Sequence, residues 1–233
     1  MKQILKDLKL DGDKVKTKST PTPATKLISH HTDSEAFNKS FHYRSVIGKL
    51  NFLEKSTRPD MLYTTHQCTR FTSNPRNEHE KAVWWLGWYL KGTKDKGLII
   101  KADPRQNLQT FVDADFAGNW DPKEANKRDT AKSRHGYVIK YKGCPVTWKS
   151  QLQTKICLSL TENEYARLSY ALREAIPIMQ TLREMKDMGI PVSSTNSEVY
   201  CTIFEDNSGA VEMANHHKYQ PRTKHLNIKL LHF

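Results

Sequence analysis

The sequence contains no apolar run that approaches a membrane-spanning helix, which needs about 20 consecutive apolar residues. The first thirty residues are polar and rich in lysine, and they lack the apolar core of a secretory signal peptide. The composition therefore indicates no membrane partner. We expect an intracellular protein of the cytoplasm or nucleus, with secretion as the alternative if a signal peptide precedes the printed sequence.

Cysteine is scarce, with four residues among 233. Cys68, Cys144, Cys157 and Cys201 are widely spaced and form no C-x-x-C pair. Disulfide scaffolds and zinc sites require closer and more regular spacings, so neither class fits. The ten histidines show no metal-binding spacing either. We interpret the cysteines as reduced, partly buried thiols.

Acidic residues are outnumbered by basic ones, 25 against 37, which gives a net charge of +12. On charge alone, such an excess indicates a polyanionic partner, with nucleic acid as the first candidate and an anionic membrane surface as the second. Of the two we retain nucleic acid, because the sequence contains no membrane-spanning run. The alternative is a soluble basic protein without such a partner. The length suffices for one domain with a proper core and a partial neighbour.

The first hundred residues contain a polar stretch and a helical region. Residues 1–10 have a helical apolar period, and residues 11–40 are predicted to form an exposed linker around Thr20-Pro21-Thr22-Pro23. Residues 41–100 have helical apolar spacing. The three helices predicted there cover residues 43–53, 59–71 and 77–90.

Three tryptophans recur at helical spacing in the last of these helices, at Trp84, Trp85 and Trp88. Burial of tryptophan is strongly favourable, so a place in the core is the first interpretation. A platform on which nucleic-acid bases stack is the alternative.

The remainder, residues 107–233, alternates strands with helices. Short β-branched and aromatic runs predict four strands, and 3.6-residue periodicity predicts two helices. The strands are predicted at residues 108–114, 136–141, 147–158 and 198–204, and the helices at residues 161–189 and 208–215.

Three acidic residues lie at the edges of these elements. Asp113 closes the first strand, Glu164 lies at the start of the long helix, and Asp206 follows the fourth strand. Carboxylates that converge only in the fold are typical of a Mg²⁺ site. For Glu164 an alternative stays open, because Thr161 with Glu164 three residues later has the pattern of a helix-capping box.

Basic residues are concentrated in two segments. They bind phosphates if they lie beside the acids, and they are solvated surface charge otherwise. The candidates are Lys123, Lys127, Arg128, Lys132 and Arg134 in residues 121–134, with Arg222 and Lys224 in residues 218–225.

The order of strands, helices and acids is that of the ribonuclease H fold, and several motifs resemble copia-type LTR retrotransposon polyproteins. Residues 111–118 resemble the family's Y-S-D-A-D-W-A-G, residues 159–165 its S-S-T-E-A-E-Y, Asp206-Asn207 its C-D-N, and residues 222–225 its R-T-K-H. Residues 43–48, 57–60 and 89–93 resemble the stretch between reverse transcriptase and ribonuclease H. The resemblance covers essentially the whole chain.

This resemblance implies an α/β fold with a mixed, ribonuclease H-like sheet and flanking helices. It divides the chain into the end of the reverse transcriptase region with a linker (1–40), a helical connection region (41–100) and the ribonuclease H-like domain (107–233). It implies two Mg²⁺ ions held by Asp113, Glu164 and Asp206 as catalytic residues, with Asp115 and Glu162 as structural neighbours. The substrate would be an RNA–DNA hybrid, whose RNA strand is cleaved, and the ancestral partner is the rest of the Pol polyprotein. The family's Y-V-D-D polymerase motif does not occur, so we expect no DNA synthesis.

In the family, a fifth strand and an A-D-x-x-T-K motif follow the R-T-K-H helix, whereas the printed sequence ends at Phe233. We therefore expect a sheet that is incomplete at its C-terminal side and weakened cleavage. Two alternatives to an active nuclease stay open. One is a catalytically silent transposon remnant that still binds nucleic acid. The other is a recruited interaction protein, such as a secreted pathogen effector.

Overall fold

The computed structural model describes residues 1–22, 35–115, 117–120, 122, 130–154, 156, 160–192 and 198–215. The chain divides between Leu98 and Ile99, with one compact unit built on the residues before this point and a second built on those after it. No helix in the described part of the chain is both long enough and apolar enough to cross a membrane.

The first unit is helical. The predicted helices are present, with α1 at Lys2–Asp7, α2 at Tyr43–Ser56, α3 at Leu62–Thr69 and α4 at Asn77–Gly92. Of the helix predicted at about residues 59–71, the first three residues form a 3-10 turn, Pro59–Met61, and the α-helical part, α3, ends at Thr69. In this turn the N–H of Met61 donates to the carbonyl of Arg58 at 3.1 Å, a bond of the tighter 3-10 type.

The core of this unit lies between apolar helix faces. Residues spaced three or four apart on α2 and α4, such as Leu50 and Leu86, are fully buried. Trp84 and Trp88 pack against this core, as the first interpretation predicts. Trp85 is half-buried and instead contacts the N-terminal segment, where its indole N–H donates to the carbonyl of Thr20 at 3.0 Å.

The described part of the predicted linker is attached to α4. The N–H of Lys18 donates to the carbonyl of Trp88 at 3.4 Å, and the Lys18 ammonium lies 4.0 Å from the ring centroid of Trp85. A side chain at Gly87 would place its Cβ 2.7 Å from both Leu8 and Leu10. The N-terminal segment and α4 can therefore pack closely because residue 87 is glycine.

A buried arginine connects two of the family-like motifs. The guanidinium of Arg58, which is 3% exposed, donates to both carboxylate oxygens of Asp60 and to the hydroxyl and carbonyl oxygens of Thr93. The hydroxyl of Tyr89 completes this network by donating to Asp60 at 2.6 Å. The network holds the end of α4 against the turn that precedes α3.

The second unit is a mixed four-stranded sheet with the order β3-β2-β1-β4. Its strands are β1 (Leu108–Asp115), β2 (Arg134–Tyr141), β3 (Cys144–Leu152) and β4 (Cys201–Phe204). β1 and β3 are antiparallel to β2, whereas β4 is parallel to β1. α5 (Leu160–Asp187) packs on the sheet, and α6 (Ser208–Asn215) follows β4. The predicted ribonuclease H-like fold class is confirmed.

Local chemistry explains where the strand limits differ from the prediction. β3 begins at Cys144, earlier than predicted, because Lys142 and Gly143 both have positive φ, as in the two-residue turns of tight hairpins. β3 ends at Leu152, opposite Arg134, where β2 begins. β4 begins three residues later than predicted, at Cys201.

The core of the second unit lies between the sheet and α5. Leu108 and Ile139 of the sheet and Ala171 of α5 are fully buried. The buried face of α5 continues at Ala175, four residues after Ala171, whereas Ile176 is 38% exposed. The small alanines let the helix approach the sheet closely.

Candidate active site

Three carboxylates converge where β4 ends and α5 begins. Glu164 lies in the second turn of α5, and Glu205 and Asp206 directly follow β4. One oxygen from each carboxylate lies within 4.8 Å of the others, the only such group of potential metal ligands in the described part of the chain. The structure thus brings two of the three predicted residues together and adds Glu205.

The pairing of β1 with β4 explains this convergence. Phe111 pairs with Phe204 in the parallel register, and their rings stack with centroids 4.6 Å apart. Asp113 and Asp206 each lie two residues beyond this pair. Because both strands run in the same direction, their acidic residues reach the same edge of the sheet.

Asp113 lies beside the group of three rather than within it. Its side chain is 91% exposed, and its Oδ1 atom lies 3.8 Å from Nη1 of Arg167. Within β1 it is paired with Gly136 of β2. The predicted carboxylate is therefore at the expected place in the fold and faces solvent.

Arg167, which the sequence analysis did not single out, lies in the middle of the carboxylates. Its side chain is 1% exposed, and its Nη2 atom contacts Oε2 of Glu164, one turn earlier in α5. The same nitrogen lies 2.8 Å from both carboxylate oxygens of Glu205. The guanidinium thus bridges two buried acids and approaches the exposed Asp113.

The pKa of Glu164 reflects its burial and the charged side chains around it. Burial raises the pKa of Glu164 to about 7, although the neighbouring guanidinium of Arg167 acts in the opposite direction. The negative charges of Glu205, Asp206 and Asp113 also contribute to this upward shift of the pKa. A cation at this place would favour the ionised form.

The structure favours the acidic cluster over the capping box for Glu164. α5 already includes Leu160, so Thr161 lies within the helix. The carboxylate of Glu164 contacts Arg167 on its own helix. Its burial and contacts therefore assign it to the acidic cluster.

The loop after β1 is shaped by Asp115. The carboxylate of Asp115 occupies the space that a Cβ on Gly118 would need, so a larger residue at position 118 would displace this carboxylate. Ala117 adopts a φ of 48°, and its N–H donates to the hydroxyl of Ser133 at 3.2 Å. Asp115 thus has a structural place in the loop, while the side chain of Glu162 lies outside the described residues.

Two of the predicted phosphate-binding residues are described. Lys132 is half-buried just before β2. Arg134 is 5% exposed within β2, and its Nη1 atom donates to the hydroxyl of Ser150 at 3.2 Å, so the structure places it inside the unit rather than at a solvent-facing surface. The other candidates, Lys123, Lys127, Arg128, Arg222 and Lys224, lie outside the described residues.

A histidine is buried behind the acidic cluster. His135 packs on the ring of Tyr170, with a centroid distance of 4.4 Å. Burial, as the largest cause, and the positive charges of Lys149, Arg134 and Arg167 together lower the pKa of His135 to about 4. His135 is therefore neutral at physiological pH and belongs to the packing of the sheet against α5.

Comparison with known proteins identifies relatives of the chain. No protein-family model matches it, and no solved structure matches it. The chain is 32% identical over 188 residues to the retrovirus-related Pol polyprotein from transposon TNT 1-94 of Nicotiana tabacum, which covers 80% of this chain. It is 29% identical over 214 residues to that from transposon RE1 of Arabidopsis thaliana, which covers 92% of this chain.

The chain spans only 13% of the length of these Pol polyproteins. A shorter relative is Secreted RxLR effector protein 161 of Plasmopara viticola, with 32% identity over 148 residues, 64% of this chain and 99% of that protein. The matches to these two polyproteins cover 80% and 92% of the chain. The chain therefore belongs to the family of retrovirus-related Pol polyproteins of copia-type transposons.

Proposed function

We propose that the second unit is a ribonuclease H-type nuclease domain that cleaves the RNA strand of RNA–DNA hybrids. The observation that carries this proposal is the convergence of Glu164, Glu205 and Asp206 within 4.8 Å of one another. Asp113 lies at the same edge of a sheet with ribonuclease H-like strand order. Membership of the Pol family supports the same function.

The donor atoms fit a hard divalent cation such as Mg²⁺. All four groups offer carboxylate oxygens, which Mg²⁺ prefers, and in such sites substrate phosphates and water complete the coordination. Asp113 and Asp206 are exposed and can face a bound nucleic acid, whereas Glu164 is buried. A pair of such ions would supply an activated water and stabilise the leaving oxygen.

The residues of the chain then have separable roles. Asp113 and Asp206 would hold the ions on the solvent side, and Glu164 would hold them from α5. Basic residues before β2, of which Lys132 is described, would bind phosphates without regard to sequence. Selection of the RNA strand would rest on A-form shape and on 2′-hydroxyl contacts.

Cleavage of a labelled RNA–DNA hybrid with Mg²⁺ or Mn²⁺ tests this proposal. We expect Asp113→Asn and Asp206→Asn each to abolish cleavage of the RNA strand while duplex DNA stays intact. Asp187→Asn is the matched control, because Asp187 is an exposed carboxylate at the far end of α5. Cleavage that survives Asp206→Asn would reject the assignment of the site.

Thermal melts provide a second measurement that does not depend on turnover. A ligand that binds only the folded protein adds about 2.7 kcal/mol at a concentration 100-fold above its Kd. We expect Mg²⁺ or Mn²⁺ to stabilise the parent and the Asp187→Asn control equally, and Asp206→Asn much less. An identical shift in all three proteins would mean that the ions bind elsewhere.

A further inference from the structure

We propose that Arg167 is an internal counter-cation that competes with divalent ions for the acidic cluster and thereby lowers the metal affinity of the site. This inference rests on the metal site of the proposed function and concerns how that site is regulated. The guanidinium and a metal ion would use the same oxygens, those of Glu164 and Glu205. A cation supplied by the protein thus lies where an external cation would bind.

The contacts of Arg167 show that charge, rather than a complete set of hydrogen bonds, holds the guanidinium in place. Nη2 carries the contacts to Glu164 and Glu205. Nε and Nη1 are buried and have no hydrogen-bond partner within the described residues. Nη1 is directed at the cluster, but its distance of 3.8 Å to Asp113 exceeds that of a hydrogen bond.

The charges around Arg167, those of the acidic cluster and of the neighbouring Asp113, explain why the guanidinium is expected to compete with a divalent ion. Asp113, Glu164, Glu205 and Asp206 are four acids, and Arg167 compensates one of their charges. A divalent ion at the same oxygens would experience repulsion from the guanidinium, which is strong because the side chain is removed from water. Binding of the ion therefore requires the guanidinium of Arg167 to move away from these oxygens.

A purely structural role for Arg167 makes a different prediction. If the guanidinium only orients Glu164 and Glu205 as ligands, its removal would weaken metal binding. If it is a competing cation, its removal leaves carboxylates that an ion can compensate, and metal binding becomes stronger. The sign of the change in metal affinity distinguishes the two roles.

Calorimetric titration with Mg²⁺ and Mn²⁺ in the absence of nucleic acid measures this sign. We expect Arg167→Met to bind Mn²⁺ at least ~10-fold more tightly than the parent, equivalent to about 1.4 kcal/mol. Arg183→Met is the matched control, because Arg183 is an exposed arginine of α5 that lies four turns further along the helix, about 24 Å away. Its affinity is expected to equal that of the parent.

The possible outcomes distinguish a failure of the proposed competition from a failure of the metal site itself. Unchanged or weaker binding by a folded Arg167→Met protein, with measurable binding by the parent, would overturn the competition while the proposed function stands. Absence of binding by both proteins would remove the metal site itself, and the inference with it. Tighter binding by Arg167→Met supports both.

A measurement on the unmodified protein keeps the inference testable if Arg167→Met does not fold. Phenylglyoxal modifies accessible arginines, and peptide mapping reports the extent of modification at Arg167. We expect Arg167 to be protected without metal, because its side chain is 1% exposed, and to become reactive when Mn²⁺ saturates the site. Protection that persists under saturating Mn²⁺ would contradict displacement of the guanidinium.

Discussion

The Nη2 atom of Arg167 lies 2.8 Å from both carboxylate oxygens of Glu205, and the two side chains are 1% and 2% exposed. Glu205→Ala removes the hydrogen bonds of this pair while Glu164 still compensates the guanidinium, and a buried hydrogen bond to a charged group contributes about 1.5–3 kcal/mol. We therefore expect Glu205→Ala to lower the free energy of unfolding by about this amount in denaturant titrations without metal. The exposed neighbour offers the control, since Asp206→Asn should change stability by no more than ~0.5 kcal/mol. Equal losses in both variants would contradict the pairing.

A second prediction concerns the first unit, where Arg58 connects Asp60 with Thr93. Arg58→Met removes the donors and leaves these acceptors with fewer partners, so we expect a loss of about 3–5 kcal/mol. Arg44→Met in the same unit is the control, because Arg44 is exposed on α2. Chemical denaturation followed by circular dichroism compares the stability of the Arg58→Met and Arg44→Met proteins. An Arg58→Met protein as stable as the parent would show that apolar packing alone holds the end of α4 against the turn that precedes α3.

The stability of the protein should depend on pH through the ionisation of Glu54. Burial raises the pKa of Glu54 to about 7, and the positive charge of Lys55 offsets this only in part. An unfolded glutamate has a pKa of about 4.3. Between these two values the folded state binds a proton that the unfolded state has lost, so the contribution of Glu54 to stability falls as the pH rises from 4.5 to 7.

We expect Glu54→Gln to remove this contribution, so that the difference in unfolding free energy between parent and variant changes across pH 4.5 to 8. Melts at several pH values measure the difference. Glu35→Gln serves as the control, because Glu35 is exposed in the same unit. A constant difference between the parent and Glu54→Gln would mean that Glu54 is ionised in the folded protein.

A further prediction concerns binding of nucleic acid by the basic segment before β2. Each phosphate contact that is lost reduces the slope of log K against log salt by about 0.7–0.9. Neutralisation of Lys127, Arg128 and Lys132 together should therefore flatten the salt dependence of hybrid binding, measured by fluorescence anisotropy. An unchanged slope would mean that these basic residues are solvated surface charge and do not contact phosphates.

The fold was predictable from sequence because its strands and helices have strong periodicity and the motifs order them. Asp206 and Glu164 could be predicted because each is adjacent to an element whose type was clear. Glu205 was not predicted, although the alternation of side chains along β4 indicates its position. Cys201 and Ile203 pack against the core of the second unit, and Glu205, two residues after Ile203, lies on the same side and contacts Arg167 of α5.

Arg167 was missed for a different reason. It lies next to Leu168 on a helix face defined only by its apolar residues, and a charged residue on such a face is ordinarily assigned to its solvent-exposed border. Its true place depends on Glu205, which follows a strand 38 residues later. Sequence periodicity describes one element at a time, so it could not show a contact between two elements.

The stacked rings of Phe111 and Phe204 have a consequence for the geometry of the acids. β4 pairs with β1 over only four residues, so few backbone hydrogen bonds resist sliding of one strand along the other. A shift of one residue would exchange the faces of Glu205 and Asp206, turning the buried acid towards solvent and the exposed acid towards the helix. The stacked rings of Phe111 and Phe204 therefore stabilise the register in which Glu205 is buried and Asp206 is exposed.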